Sequence, residues 1–366
     1  MRVSGRAFSP AVDDAAATVA AVPNGPLIEL RAEGLYCPAG DFHIDPWRPV
    51  PRAVITHGHG DHARAGSGTY HLASAGLPIL EWRLGAQDYR THAYGEAFDL
   101  GGVRVSLHPA GHVLGSAQVR VEAGDRVWVA SGDYKRDPDP TCAPFEPVRC
   151  DAFITEATFG LPIYRWRPTR EVAAEILAWW QGCRARGETA VLFAYALGKA
   201  QRVLAELAAL VPEAERAAHR VLLHGAMAQG VRIYREAGIA MLPTEPLSEQ
   251  PEGRRPRTDA FAGDLVLAPP SAAGSAWMRR FRRASLGFAS GWMRVRGSRR
   301  RRGYDRGFVI SDHADWPSLL RTVEDTGARQ VFATHGDTAA LVRVLCERGI
   351  DARTLRTEYG DEDEAP

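Results

Sequence analysis

Six consecutive residues, His57-Gly58-His59-Gly60-Asp61-His62, put four potential metal ligands into one short stretch. They follow directly on the apolar run Ala53 to Thr56, which reads as a strand, so the ligands leave from a strand end. His57 and His59 alternate and can point to one side of extended backbone, the small glycines permit tight bending, and Asp61 and His62 then reach a second ion beside the first. More candidate ligands sit beside glycine at the ends of other apolar runs: His112 in His108 to Ser116, Asp133 in Ser131 to Tyr134, and His335 in Phe332 to Asp337. Each alone is an ordinary turn residue. With the hexapeptide they form a candidate site for two divalent cations, for which Zn²⁺ suits the imidazole and carboxylate donors and Mn²⁺ or Fe²⁺ is also accepted.

The elements that must position these residues fall into two rhythms. Short β-rich runs punctuated by Gly and Pro cover 27–30, 53–56, 71–73, 102–108, 117–122, 126–131 and 152–155, with Glu156 closing the last. Many strands with few long helices suggest a sandwich. After Pro168 strands and helices alternate: helices over 169–186, 199–211 and 226–237, strands over 189–195, 220–224 and 264–268. The final stretch repeats strand and helix over 307–311, 317–326, 330–334 and 339–348. A chain of 366 residues has room for two such units.

Composition excludes several classes. With 45 basic against 44 acidic residues, a net charge of +1 and 45% hydrophobic residues, the chain is neither collagen-like, disordered nor a membrane bundle. No run approaches the roughly 18 apolar residues of a spanning helix, so no membrane partner is expected. The five cysteines lack a CxxC pair, which points to reduced thiols and a cytoplasmic location. Residues 1–26 read as an N-terminal extension, with Asp13 and Asp14 arguing against a secretory signal.

Charge is unevenly spread. Only Lys135 and Lys199 are lysines, and 11 arginines fall between Arg279 and Arg306 with the single acid Asp305, densest at Arg299, Arg300, Arg301 and Arg302. Interleaved with Trp277, Phe281, Phe288, Trp292 and Tyr304, this block is either a groove for single-stranded nucleic acid or a solvated Arg-rich loop. Lys199 and Gln201, at a strand-to-helix turn, are candidate phosphate contacts or solvated side chains, and Ser271 after Pro269-Pro270 is a weaker one. The Trp179-Trp180 pair reads as packing.

The hexapeptide with His112, Asp133 and His335 resembles the metallo-β-lactamase superfamily. Three later motifs resemble its nucleic-acid-processing β-CASP branch: Glu156 within Phe153 to Gly160 is similar to the motif A acid, His313 within Ile310 to Asp315 to the motif B histidine, and His335 to the motif C histidine. Segments 131–134, 137–149, 158–166 and 196–201 are similar to bacterial ligase-associated DNA exonucleases, also labelled mRNA 3′-end processing factors. The likeness spans residues 27 to 357.

The resemblance implies an α/β (α+β) fold: an αββα metallo-β-lactamase sandwich from 27–166 plus 304–357, a β-CASP α/β domain over 167–303, and an acidic tail over 358–366. It implies that His57, His59 and His112 hold one ion, Asp61, His62 and His335 the other, and that Asp133 bridges them. Asp61 would orient the attacking water, His313 would act as general acid, and Glu156 would hold its other nitrogen. The implied activity is a metal-dependent DNA exonuclease trimming single-stranded or otherwise open DNA ends in repair, beside an ATP-dependent DNA ligase and a helicase. The alternative is a β-CASP ribonuclease of RNA 3′-end processing or decay, because a motif C histidine is more typical of RNA-acting members. A metal-silent binding subunit would need a missing ligand, and a small-molecule hydrolase needs neither the insertion nor the arginine block.

Overall fold

The structure is a computed structural model that describes residues 25–247, 260–295 and 303–357. The acidic tail, Arg299 to Arg302 and nearly all of the N-terminal extension lie outside the described residues.

Two sheets face each other. The first has six strands in chain order, Glu29–Arg31, Gly34–Cys37, Phe42–Ile44, Arg52–Val54, Thr69–Ala73 and Tyr89–His92. The second runs Asp351–Thr354, Gln330–Gly336, Ala152–Ala157, Arg126–Ala130, Ala117–Ala123, Val103–Pro109 and Ala97–Leu100, so strands near the C-terminus lie beside strands from the first half of the chain. Phe42, Ile44 and Val54 of the first sheet pack on Val105, Val119, Val121 and Ile154 of the second as one core. Because strand side chains alternate, Val129 and Phe153 turn to the opposite face, where Leu319 and Val323 of helix Trp316–Thr326 and Leu341 and Leu345 of helix Thr338–Glu347 cover them. On the outer face of the first sheet, Leu80 of helix Leu77–Leu84 meets Ala53, Ile55 and Tyr70. The layers are therefore helix, sheet, sheet, helix.

A third sheet, ordered Glu245–Pro246, Val221–Leu223, Leu265–Ala268, Thr189–Phe193, Ala284–Ala289, Arg306–Phe308, is built from parallel pairs. All five residues of Thr189–Phe193 are buried, as a parallel strand covered on both faces requires. Ala190 and Leu192 meet Ile176 and Trp180 of helix Thr169–Ala185 and Leu204 of helix Lys199–Leu210, while Val191 and Phe193 join Val266 and Phe288 on the other side. The chain is thus an α/β (α+β) protein whose sandwich and parallel α/β sheet fit a metallo-β-lactamase sandwich with a β-CASP unit.

Two differences concern the arginine-rich region. It contains a strand, Ala284–Ala289, that the charge run concealed. Its partner Arg306–Phe308 belongs to the third sheet, although a boundary at residue 304 assigns it to the sandwich. Sheet pairing argues for ending the inserted unit after Phe308. Among the described residues no helix is long and apolar enough to cross a membrane.

Candidate metal centre

The strand Arg52–Val54 ends in a bend that carries the hexapeptide over helix Leu77–Leu84. A side chain at Gly58 would collide with Ile79, and Arg83 donates to the Gly58 carbonyl, so the loop lies flat on that helix. His62 and Ala63 N–H groups both donate to the His59 carbonyl, closing a turn that brings His62 back beside His57.

The donor atoms converge on two positions. His59 Nδ1 lies 3.0 Å from both His57 Nε2 and His112 Nε2. Asp133 Oδ2 lies 3.3 Å from His57 Nε2 and 3.6 Å from His112 Nε2, while its Oδ1 lies 3.5 Å from His62 Nε2. His57, His59, His112 and Asp133 therefore form one group, and His62, Asp133 and His335 a second, each with candidate ligand atoms within 4.8 Å of one another. Asp61 lies outside both groups, 3.5 Å from His62 Nε2 and partly open to solvent.

These residues fit a divalent cation. Three imidazole nitrogens and a carboxylate brought together make an N₃O donor set of the kind that would hold a divalent cation, and His62 Nε2 is buried without a hydrogen-bond partner. Burial, reinforced by His62, holds the His57 imidazole well below its usual range, and burial with His313 beside it pushes His112 down to about 3. Both rings are thus neutral, the form that coordinates. His62 moves the other way: burial opposes its charge, but Asp133, Asp61 and Asp45 together hold it well above the usual range.

The outer contacts fix the rings. The Asp312 carbonyl can only accept, so His112 Nδ1, 2.8 Å away, carries the proton and Nε2 is bare. Asp45 Oδ2 lies 2.7 Å from His62 Nδ1 and accepts from Thr56 Oγ1 at 2.5 Å, while its Oδ1 accepts from Thr56 N at 2.7 Å. Sequence reading missed Asp45. It directly follows the strand Phe42–Ile44, whose middle residue is His43, so no continuous apolar run announces it.

His335 is placed by a bulge. Pairing runs Glu156 to Thr334 and then Ala157 to Gly336, which leaves His335 unpaired on its strand with φ of 54°. That left-handed backbone is uncommon for a residue with a Cβ, and bulges re-aim side chains in this way. His335 thereby faces His62, with ring centroids 5.4 Å apart.

Glu156 Oε2 lies 2.9 Å from His313 Nδ1 and accepts from Thr158 Oγ1 at 2.6 Å, and its Oε1 accepts from Tyr134 N at 2.7 Å. Burial raises the Glu156 carboxyl, His313 opposing it. The His313 ring stands 4.7 Å from that of His112, beside the first group.

The candidate nucleic-acid contacts look different in the fold. Lys199 is buried with Nζ 2.9 Å from Asp312 Oδ1, and the fully buried Gln201 donates to the Ala196 carbonyl at 2.9 Å, so both are turned inward. A free phosphate contact at either is therefore corrected. Ser271 is exposed on the turn Pro270–Ala272. Among the interleaved rings, Phe281 and Phe288 are core residues and Tyr304 packs on Phe193 and Phe288. Trp292 alone of that set approaches the site, 4.9 Å from Phe159, whose ring reaches His313 at 5.9 Å.

No family model matches the chain. A protein named probable DNA ligase from Opitutus terrae is 31% identical over 325 residues, 88% of this chain and 30% of that protein. Endoribonuclease ysh-1 of Neurospora crassa is 32% identical over 131 residues, 35% of this chain and 14% of that protein. Cleavage and polyadenylation specificity factor 73 of Drosophila melanogaster is 34% identical over 111 residues, 30% of this chain and 16% of that protein. The chain thus spans less than a third of the length of each of these relatives. A crystal structure of a protein of unknown function from Enterococcus faecalis V583 shares the fold with a TM-score of 0.53 at 10% identity, covering 77% of this chain and 74% of that one.

Proposed function

We propose that the chain is a metal-dependent phosphodiesterase of the β-CASP branch of the metallo-β-lactamase superfamily, an exonuclease processing DNA ends. The observation that carries this reading is Asp133, whose two oxygens face two separate groups of histidines with the His313–Glu156 pair alongside. Two divalent cations held by His57, His59, His112, Asp133, His62 and His335, with Asp61 close by, would supply Lewis acidity and an activated water.

The chain's own residues do the rest. Asp61, partly open to solvent, accepts a hydrogen bond from the attacking water and orients it. Glu156 fixes the His313 ring through Nδ1, so that Nε2 is the atom that gives a proton to the leaving oxygen. The similarity to a probable DNA ligase supports work beside a DNA ligase; a helicase companion rests on the resemblance alone.

A second reading, a ribonuclease, is favoured by His335 at the motif C position and by the endoribonuclease names of shorter matches. The test is a gel with 5′- and 3′-labelled single-stranded DNA and RNA of one sequence, across Zn²⁺, Mn²⁺ and Mg²⁺, with Asp61→Ala and Asp133→Ala controls. Stepwise DNA shortening absent from both controls is expected. Cleavage of RNA alone moves the protein to RNA processing, and no cleavage of either substrate by metal-loaded protein overturns the nuclease reading.

A further inference from the structure

We propose that Lys199 is a positioning residue that holds the Asp312 carboxylate away from the metal centre, an inference that rests on the metal-site reading above but not on whether the substrate is DNA or RNA. Asp312 belongs to a third buried cluster: its carboxylate and the ring nitrogens of His112 and His313 offer ligand atoms within 4.8 Å of one another. The same residue acts through two groups. Its carbonyl holds His112 Nδ1 at 2.8 Å and so aims a proposed ligand, while its carboxylate lies within reach of that ligand's surroundings and faces Lys199 Nζ at 2.9 Å.

The pair is sealed into the junction between the sandwich and the inserted sheet. Both side chains are at least nine-tenths buried. Lys199 opens helix Lys199–Leu210, and Gly198 just before it has φ of 87°. A Cβ there would stand 2.5 Å from Val113 Cγ1, so glycine is what lets the helix start press against the loop bearing His112. Around Asp312 the backbone is clamped as well: the Ser311 carbonyl accepts from Lys135 Nζ at 2.8 Å and from Arg202 Nη1 at 2.6 Å, and Arg202 also pairs with Asp139.

The consequence is electrostatic. An unpaired buried carboxylate seeks the nearest cation, and a divalent ion attracts it more strongly than water does. Lys199 is the cation that lies directly against that charge and neutralises most of it, with Arg202 acting on it as well. Without Lys199, Asp312 competes as an extra oxygen ligand, pulls the carbonyl that aims His112, and adds negative charge where an anionic phosphodiester must approach.

The test uses the full chain stripped of metal and titrated with Co²⁺, whose visible absorption reports ligand number and type, together with kcat and KM on the cleaved substrate. Lys199→Met is expected to change the Co²⁺ spectrum, shift Co²⁺ affinity by about 10-fold or more, and lower kcat with KM nearly unchanged. Lys199→Arg keeps the wild-type spectrum. The double variant Lys199→Met/Asp312→Asn removes both charges, avoids a lone buried ion that could block folding, and restores both spectrum and kcat.

An unchanged Co²⁺ spectrum in Lys199→Met overturns the proposal. So does a double variant that stays impaired with KM raised about 10-fold, because that pattern belongs to a side chain that binds the substrate phosphate directly. Wild-type protein that binds Co²⁺ but cuts nothing overturns the nuclease reading alone, and the four spectra still decide the role of Lys199. Wild-type protein that takes up no Co²⁺ overturns both.

Discussion

At the scale of single residues, the separation between aiming a ligand and moving a proton gives opposite signatures. The Asp45 carboxylate reaches His62 and Thr56, so Asp45→Asn leaves His62 Nδ1 without its carboxylate partner. Metal affinity should fall by roughly 10–100-fold, measured by competition with a chelating dye, with activity recovering as metal is added. His313 lies in neither of the two groups that make up the proposed metal positions. His313→Gln should retain full metal content by elemental analysis while cleavage falls by about 10²–10⁴-fold at every metal concentration. A His313→Gln protein that loses metal instead would make the ring a ligand and leave the proton unassigned. Ligand candidates were legible from sequence because four of them crowd one hexapeptide at a strand end and the others are His or Asp beside glycine after apolar runs. Asp45 was not, since its importance comes from folding back on a residue 17 positions away.

At the scale of elements, the strands of the first sheet carry a pH-sensitive pair outside the two groups of candidate ligands. His71 on strand Thr69–Ala73 and His92 on strand Tyr89–His92 stack with Nδ1 and Nε2 3.0 Å apart, and Phe98 lies parallel to both rings. Burial, with His92 beside it, lowers His71 to about 4. The folded state therefore binds fewer protons than the unfolded chain below the usual histidine range, so this contribution to stability is present above about pH 6.5 and is lost as pH falls toward 4. The melting temperature should drop over that window, and His71→Gln should flatten the drop. A variant with the same slope as wild type would place the sensitive group elsewhere. Short strands such as Phe42–Ile44 and Tyr89–His92 escaped sequence reading because polar residues break them, His43 in one and Arg90, Thr91 and His92 in the other, so neither shows an apolar run. Ala284–Ala289 escaped for another reason: flanking arginines hid an apolar run whose Phe288 is fully buried.

At the scale of the whole molecule, the proposed centre lies where hexapeptide, His112 loop, Ser311 to His313 and helix Lys199–Leu210 meet, so metal binding should stabilise more than its own loop. His59 Nε2 lies 3.4 Å from the Leu197 carbonyl, joining the hexapeptide to the inserted unit directly. A cation bound only by the folded chain adds about 2.7 kcal/mol when its concentration is 100 times the dissociation constant. Chelation should therefore lower the melting temperature of the entire chain, with sandwich and insert unfolding at a common, lowered midpoint by calorimetry. Two separate transitions, with only one responding to chelator, would show that the junction does not transmit the stabilisation.

The sequence by itself offered the candidate ligands and two rhythms of elements, strand-rich before Pro168 and alternating after it, because both are local patterns; the layered fold class came from the family resemblance of its motifs. Tertiary structure decided which partners those groups have. His112 meets the Asp312 carbonyl across 200 positions and His313 meets Glu156 across 157, separations no local periodicity encodes. It also decided the direction of charge: Lys199, at a helix start that resembles a phosphate site, turns inward because a buried carboxylate folds against it and an unpaired ion in a low-dielectric junction is too costly.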